Sequence, residues 1–362
     1  MLYLTPMRRI KIALVLTVVL ALQASPLAYA ATPTTTSTEA APTTPLNITI
    51  SPDAQELVVK PGGKVTATFQ VRNNGLQTEH LKGTVKTFDA TGAQGVPQLL
   101  DFKSTDESAK WVTLPTPTFD AEPNVWESFS VVIQPPKTAA FGYYYAIDFT
   151  RVVQDKASKG NTFVTSVDGL ILLNVQAPGE KRQANLVSFS TPNKLIEFLP
   201  ERFTILMHNS GNVHVAPHGN IFLYKGKKSV GIIDVNPTEG NILPDSNRTY
   251  TTVWTDGTPV YKITTGKNKN GQPTDVTKLN WDNFKLSSLR YGKYTAELEM
   301  IYNNGQYDVP LTATLTFWVM PWRIIAASAI VVLFILAGIW ALVIRPIRGR
   351  IKGSKRHHGR FR

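Results

Sequence analysis

The side chains able to do chemistry are few and scattered. The densest group of metal-ligand types is His208, His214 and His218. His214 and His218 share strand parity and could project from one face. Pro217 stands between them, however, and a zinc site needs a third ligand and oriented outer partners. Ordinary loop histidines are the expectation, with no metal and no cofactor. Tyr143, Tyr144 and Tyr145 form the sharpest aromatic cluster. At period two, at least one must face opposite its neighbours. An exposed tyrosine face could stack on glycan or anchor a protein; a sandwich core with one surface tyrosine accounts for the same residues. The polar stretch 255–285 carries Lys267 and Lys269 among Gly and Asn. It reads as a long loop with a flexible centre, tied down by Trp281 and Phe284, and so as a candidate binding loop. The chain has no GxSxG, HExxH or phosphate-cradling Gly-rich motif. It has no cysteine, which excludes a disulfide scaffold, a cysteine–zinc site and a thiol enzyme. No enzymatic activity is expected.

What positions these residues begins with the charge. The formal net charge of the 362 residues is +12. Twelve of the 38 Lys and Arg lie in 1–30 and 323–362, where there is no acid; the other 26 share 31–322 with all 26 Asp and Glu. The excess therefore sits beside two apolar runs. That is a topology signal rather than a phosphate-binding surface, and no nucleic-acid partner is expected. Arg8, Arg9 and Lys11, the 11-residue run Ile12 to Leu22 and Ala28-Tyr29-Ala30 read as a cleavable signal peptide over 1–30. Ile324 to Ile344 is 21 residues without a charge, enough to cross a ~30 Å hydrocarbon core. Trp318, Trp322 and Trp340 flank or close the run as interfacial residues, and Arg323 stands at its outer rim. The tail carries Arg345, Arg348, Arg350, Lys352, Lys355, Arg356, Arg360 and Arg362. This bias places the tail in the cytoplasm and the N-terminal domains outside, in a single pass through the plasma membrane. The cluster reads as a stop-transfer signal that also attracts anionic lipid; a partner-binding basic arm is the other reading.

Between the two runs the chain is extended and repetitive. Residues 31–45, rich in Thr, Pro and Ala, read as a disordered spacer. From Leu46 the hydrophobic period is two: Val65, Ala67, Phe69 and Val71 alternate with Thr66, Thr68, Gln70 and Arg72. Asn73-Asn74-Gly75 is expected to stop that strand with residues that tolerate positive φ. Phe69-Gln70-Val71-Arg72-Asn73-Asn74-Gly75 resembles Ile205-Leu206-Met207-His208-Asn209-Ser210-Gly211, and Gly142 to Ala146 resembles Gly292 to Ala296. The register of the second pair conflicts. Aligned glycines match Tyr144 with Tyr294, whereas apolar alternation puts Tyr143, Tyr145, Ile147 and Phe149 on one face.

Ser51-Pro52, Val59-Lys60-Pro61-Gly62, the Phe69 to Gly75 stretch and residues 135–149 resemble the first domain of WxL-interacting surface proteins of Gram-positive bacteria. Residues 208–221 resemble their second domain, and Phe317 to Arg323 runs into the apolar segment as theirs does. The resemblance implies a non-catalytic role in binding cell wall or surface proteins. The expected fold is all-β, with two tandem immunoglobulin-like β-sandwiches followed by a single transmembrane α-helix. The expected order is signal peptide 1–30, spacer 31–45, sandwich 46–177, junction 178–183, sandwich 184–320, transmembrane helix 321–344 and cytoplasmic tail 345–362. The expected function is a membrane-anchored surface scaffold that engages cell-wall polymer or another surface protein. The alternatives are a secretion or assembly factor accepting client strands, and a signalling or accessory subunit acting through helix and tail. The sequence sets no oligomeric state.

Overall fold

The computed structural model describes residues 45–152, 166–267 and 273–344. The expected signal peptide, the spacer as far as residue 44, Lys269 and the basic residues from Arg345 to Arg362 lie outside the described residues.

Strands β1 (Ile48–Ser51), β2 (Ala54–Val59), β3 (Val65–Asn73), β4 (Glu79–Ala90), β5 (Pro97–Leu100), β6 (Val112–Thr113), β7 (Thr118–Ala121), β8 (Trp126–Ile133), β9 (Phe141–Arg151) and β10 (Ser166–Val175) build a first sandwich. One of its sheets runs β1-β3-β8-β6 and the other β2-β10-β9-β4-β5, with β7 also on β4. Strands β11 (Ala184–Ser190), β12 (Leu195–Ile196), β13 (Glu201–Asn209), β14 (His218–Lys225), β15 (Lys228–Val235), β16 (Asn247–Trp254), β17 (Val260–Lys267), β18 (Pro273–Asn280), β19 (Gly292–Asn303) and β20 (Asp308–Val319) follow. Their sheets are β11-β13-β16 and β12-β20-β19-β14-β15, which face each other as a second sandwich, and the separate hairpin β17-β18. Both sandwiches are immunoglobulin-like: two mostly antiparallel sheets, inward rows interdigitated, no disulfide. Helix α1 (Trp322–Ile339) follows β20 almost at once and ends in a π-type turn, Trp340–Ile344. Pro321 precedes its first residue, where a missing N–H breaks no intrahelical bond.

The alternation read from the sequence produces this packing. Ala67, Phe69 and Val71 are fully buried in the first core, against Phe129 and Phe149, whose rings meet edge to face at 4.9 Å. The second core gathers Phe203, Trp254, Tyr294 and Phe317, with Tyr294 and Phe317 stacked at 5.7 Å. Tyr294 faces inward, and so do Tyr143 and Tyr145, which settles the register conflict for apolar alternation over aligned glycines.

The Asn-Gly turns work differently from expectation. None of Asn73, Asn74 and Gly75 has positive φ. Asn73 is instead fully buried and stitches the turn with its side chain. Its Oδ1 accepts the Gly75 N–H at 2.8 Å, and its Nδ2 donates to the carbonyls of Gln77 at 2.7 Å and Ala121 at 2.9 Å. Asn209 repeats the arrangement with Gly211, Val213 and Ile242, each at 2.8 Å. The duplicated motif is therefore a buried amide, and the following glycine gives room and an N–H. Asn73→Ala removes three hydrogen bonds to the backbone, of which the one to the Ala121 carbonyl is buried, and should lower stability by about 2 kcal/mol. In the half-buried neighbour, Asn74→Ala loses only an exposed hydrogen bond to Thr49 Oγ1 and should stay within ~0.5 kcal/mol. Urea unfolding checks both, with a lower midpoint and unchanged slope expected for the first.

Glu201, paired with Trp254 in the sheet, is buried, and its Oε1 has no partner among the described residues. Burial pushes its carboxyl up from 4.5 to about 7. The folded state then holds a proton that the unfolded chain has released, so stability falls as pH rises from 4.5 to about 7. Glu201→Gln should remove this slope, which urea midpoints measured across that window will show.

Candidate binding surfaces

Two places in the fold offer unfilled recognition geometry: one sheet edge and the cleft between the sandwiches. In the first sandwich, β10 is flanked on one side by β9 and on the other by β2, which runs parallel to it from Leu170 to Val175. The equivalent strand in the second sandwich is β20. It pairs with β19 along its whole length, but β12 covers only Trp318 and Val319 on the other side. The N–H groups of Trp318 and Met320 donate across that side to the carbonyls of Lys194 and Ile196, at 2.8 and 2.7 Å. Backbone groups alternate sides along a strand, so those of Thr312, Thr314 and Thr316 point the same way. They find no partner among the described residues. Pro310 ends this open run, because its missing N–H falls on the open side. Above the edge, the inward row Val309, Leu311, Ala313 and Leu315 is only half-buried, as are Leu186 and Phe189 of β11 opposite. A vacant track about five residues long thus lies beside β20, floored by apolar side chains.

The sandwiches meet through a small apolar plug and a polar seam. Leu243 packs against Phe88, Ala146 and Leu172. Beside it, His214 is buried; its Nε2 lies 3.7 Å from Glu56 Oε2 and its Nδ1 3.5 Å from the Tyr144 hydroxyl. Asn241 Nδ2 donates to the other oxygen of Glu56. The His214 contact holds the Glu56 carboxyl below its ordinary range against the opposing effect of burial, and Asn241 adds to the lowering. Two backbone bonds cross the seam: Gly142 N–H to the Asn212 carbonyl at 3.2 Å, and Thr249 N–H to the Ala93 carbonyl at 2.6 Å. The connecting segment is held too, since Asn212 accepts the Lys181 N–H and donates to the Gly179 carbonyl. An open cleft of about 540 Å³ remains, lined by Asp53, Glu56, Phe88, Pro97, Asn241 and Arg248 among others. Arg248 is not free to meet a ligand. It donates to the Asn241 carbonyl at 2.6 Å, and its guanidinium lies against Gly95 and Gly240, where a Cβ would approach within 2.6 and 2.5 Å.

The residues singled out from the sequence fall as follows. The three tyrosines present no exposed face: Tyr145 is buried, Tyr143 packs on Trp111 at 4.7 Å, and Tyr144 sits between Phe88 and His214. Burial pushes the hydroxyls of Tyr144 and Tyr145 far up. His214 lies in the loop after β13, as expected, but is buried in the inter-sandwich seam; His208 bonds Asn247 and His218 its neighbouring Ala216 carbonyl. The expected flexible loop 255–285 is mostly the hairpin β17-β18, in which Lys267 ends β17 opposite Pro273. Trp281 and Phe284 stay partly exposed and pack on each other at 5.4 Å, and Trp281 also meets the buried Phe198 at 6.4 Å. Helix α1 is long and apolar enough to cross a membrane, and none of it is buried. Trp318 near the end of β20, Trp322 at the start of the helix and Trp340 just after it are exposed. Arg323 is engaged within the protein, its Nε 3.5 Å from Glu197 Oε2 and its guanidinium over Trp322. Sequence reading missed Glu56 and Glu197, which no motif marks. It also could not pair Asp148 with Asp168 across β9 and β10, where Lys86 lies 3.5 Å from Asp148; burial, then Asp148, raises the Asp168 carboxyl.

No protein-family model matches the sequence, and no curated protein matches it. Among solved structures the chain is similar to the class 5 fimbriae chaperone CfaA, at 15% identity and TM-score 0.33, over 65% of this chain and 100% of that one. It is similar to the YadV chaperone at 11% and 0.34, over 75% and 100%. It is also similar to the E. coli chaperone DraB at 12% and 0.30, over 74% and 98%. Values this low carry no inference about what this chain binds.

The seam gives a sign-definite pH response. Glu56 ionises below its ordinary value of 4.5 in the folded protein, so its contribution is present above that value and fades as pH falls through the folded value. Hydrogen exchange at the Gly142 and Thr249 amides should therefore quicken in acid relative to core amides. In Glu56→Gln that relative change should disappear.

Proposed function

We propose that the chain is a non-catalytic, membrane-anchored surface protein whose second sandwich takes an extended segment of another surface protein alongside β20. The observation that carries this reading is the vacant track at Thr312, Thr314 and Thr316, where the first sandwich has its own strand β2. Strand addition draws its affinity from such unpaired backbone groups and its specificity from side chains in alternate pockets. Here an added strand would present every second residue to Leu311, Ala313 and Leu315. Helix α1 spans the plasma membrane in this reading, with the sandwiches outside and the basic tail in the cytoplasm. The absence of any buried residue in it and the cluster of cations after it support that placement. Kinship with WxL-interacting surface proteins belongs to the same proposal and rests on the residues that resemble them.

The test uses the intact protein in its own membrane, with a photo-crosslinking residue in place of Thr314. One stable protein adduct, mapped to an extended segment with alternating apolar residues, is the expected outcome. Many unfolded clients would favour an assembly factor, and glycan adducts alone a wall-polymer binder. Thr314→Pro, tested by co-purification with that partner, removes only the outward N–H and leaves the β19 ladder intact. It should abolish capture with little change in melting temperature, whereas Thr314→Ala retains it. Undiminished capture by Thr314→Pro sinks the reading.

A further inference from the structure

The hairpin β17-β18 lacks the support that the other strands have. Among the described residues it joins no larger sheet, and its only backbone link to another segment is at Leu199 and Val260. A two-stranded sheet alone is marginally stable in water, so one that persists needs a second face to rest on. Its base carries an apolar group turned to the outside: Trp281 is 47% exposed, Phe284 40% and Leu286 79%.

This base is tied to the start of helix α1 by one short segment, residues 194–199. The Ile196 carbonyl accepts the Met320 N–H, two residues before the helix begins. Glu197 Oε2 lies 3.5 Å from Arg323 of the first helical turn and accepts from the Tyr261 hydroxyl of the hairpin at 3.4 Å. Phe198 meets both Tyr261 and Trp281, at 6.0 and 6.4 Å between ring centres. The Leu199 carbonyl accepts the Tyr261 N–H at 2.7 Å. A single carboxylate therefore touches the helix root and the hairpin at once, and Trp281 is one aromatic contact further on.

From this continuity we infer that Trp281, Phe284 and Leu286 form a second lipid contact, lying in the headgroup boundary beside the helix. The inference rests on the proposed crossing of the membrane by α1. Trp and Phe beside an apolar span suit that boundary, where an amphipathic ring meets both water and acyl chains. The charges agree with an anionic surface. Lys262 and Lys278 stand directly opposite each other in the hairpin register, and Lys285 lies between Phe284 and Leu286. Like charges in opposed positions repel, and anionic headgroups would relieve that repulsion. Nearby Asp256 is paired with Arg290 at 2.8 Å; Asp282, hydrogen-bonded to Asn280 at 2.8 Å, and Asp275 of β18 keep their charge, so the three lysines carry the attraction.

The absence of cysteine makes the test direct. Single-cysteine variants of the full chain, Phe284→Cys, Leu336→Cys in the helix and Leu76→Cys, are labelled with a fluorophore. Leu76 is 94% exposed, in the turn after β3 of the first sandwich. Each is reconstituted into phosphatidylcholine vesicles, with or without phosphatidylglycerol, containing nitroxide lipids quenching near the headgroup or near the chain end. The label at 284 should be quenched several-fold more by the shallow nitroxide than the label at 76, and more strongly with phosphatidylglycerol present. Leu336→Cys should respond to the deep nitroxide. Quenching at 336 with none at 284 overturns the lipid contact and leaves the span standing; no quenching at 336 removes the span itself. Quenching at 284 equal to that at 76 in pure lipid, with protection only in native membranes, would assign the surface to a protein and overturn the inference. Leu286→Cys repeats the measurement should Phe284→Cys fold poorly. Reversing Lys262, Lys278 and Lys285 to Glu should erase the phosphatidylglycerol dependence.

Discussion

Much of the second sandwich follows from one constraint: β20 must close a sheet and lead straight into an apolar helix. The last residues of such a strand need anchoring, and the chain supplies it from residues 194–199. That segment spends its carbonyls on Trp318, Met320 and Tyr261 and its carboxylate on Arg323. A stretch used this way cannot also run alongside Thr312 to Thr316. In the first sandwich β10 leads into no helix, and β2 is free to follow it for six residues. The open edge and the fixed helix root are thus two consequences of the same local choice.

The relation between the sandwiches is set by polar geometry more than by buried area. Their shared apolar plug is small, and interfaces of this kind permit domain movement unless something else fixes them. Here that role falls to directional bonds. Glu56 engages His214 and Asn241, Asn212 engages both sides of the connecting segment, and Arg248 fits between two glycines. Each group needs its partner at a particular distance, so the seam specifies an orientation that the apolar contact alone would leave loose. The buried amides Asn73 and Asn209 act on the same principle within each sandwich, fixing a turn through three hydrogen bonds that apolar packing could not direct.

The fold class was legible because alternation is local: Val65 to Val71 shows its inward row without knowledge of any partner strand. Legibility stopped where a residue's role depends on distant chain. His214 meets Tyr144 across 70 positions and Glu56 across more, so its neighbours in sequence, Pro217 among them, showed the loop but not the seam. The hairpin β17-β18 was hidden for a different reason. Its strands are rich in Thr and Lys and mostly lack a buried face, so they carry no sustained apolar period to read. The tyrosines gave a true signal with two meanings, since alternation put two of them inward but could not show that the third faces another domain. The open edge left no mark in β20 itself. Its alternation is as regular as that of a central strand, and only the shortness of β12 distinguishes it.

The charge of the region between the two apolar runs bears on what such an edge can do. With 26 basic and 26 acidic residues between positions 31 and 322, that region has little net field to draw a partner in. Backbone pairing suits such a surface, because it asks for no charge on either side. It also carries a hazard, since an unpaired edge will accept any extended chain. Pro310 limits the hazard by ending the run, and the threonine row on the outer face keeps the sheet surface polar. With only three residues offering outward backbone groups, hydrogen bonds alone would bind weakly and without preference. In the proposed strand addition, discrimination falls to the half-buried row, where Ala313 sits between Leu311 and Leu315. An added strand meets a large-small-large profile there, and the side chain placed over Ala313 decides whether it fits.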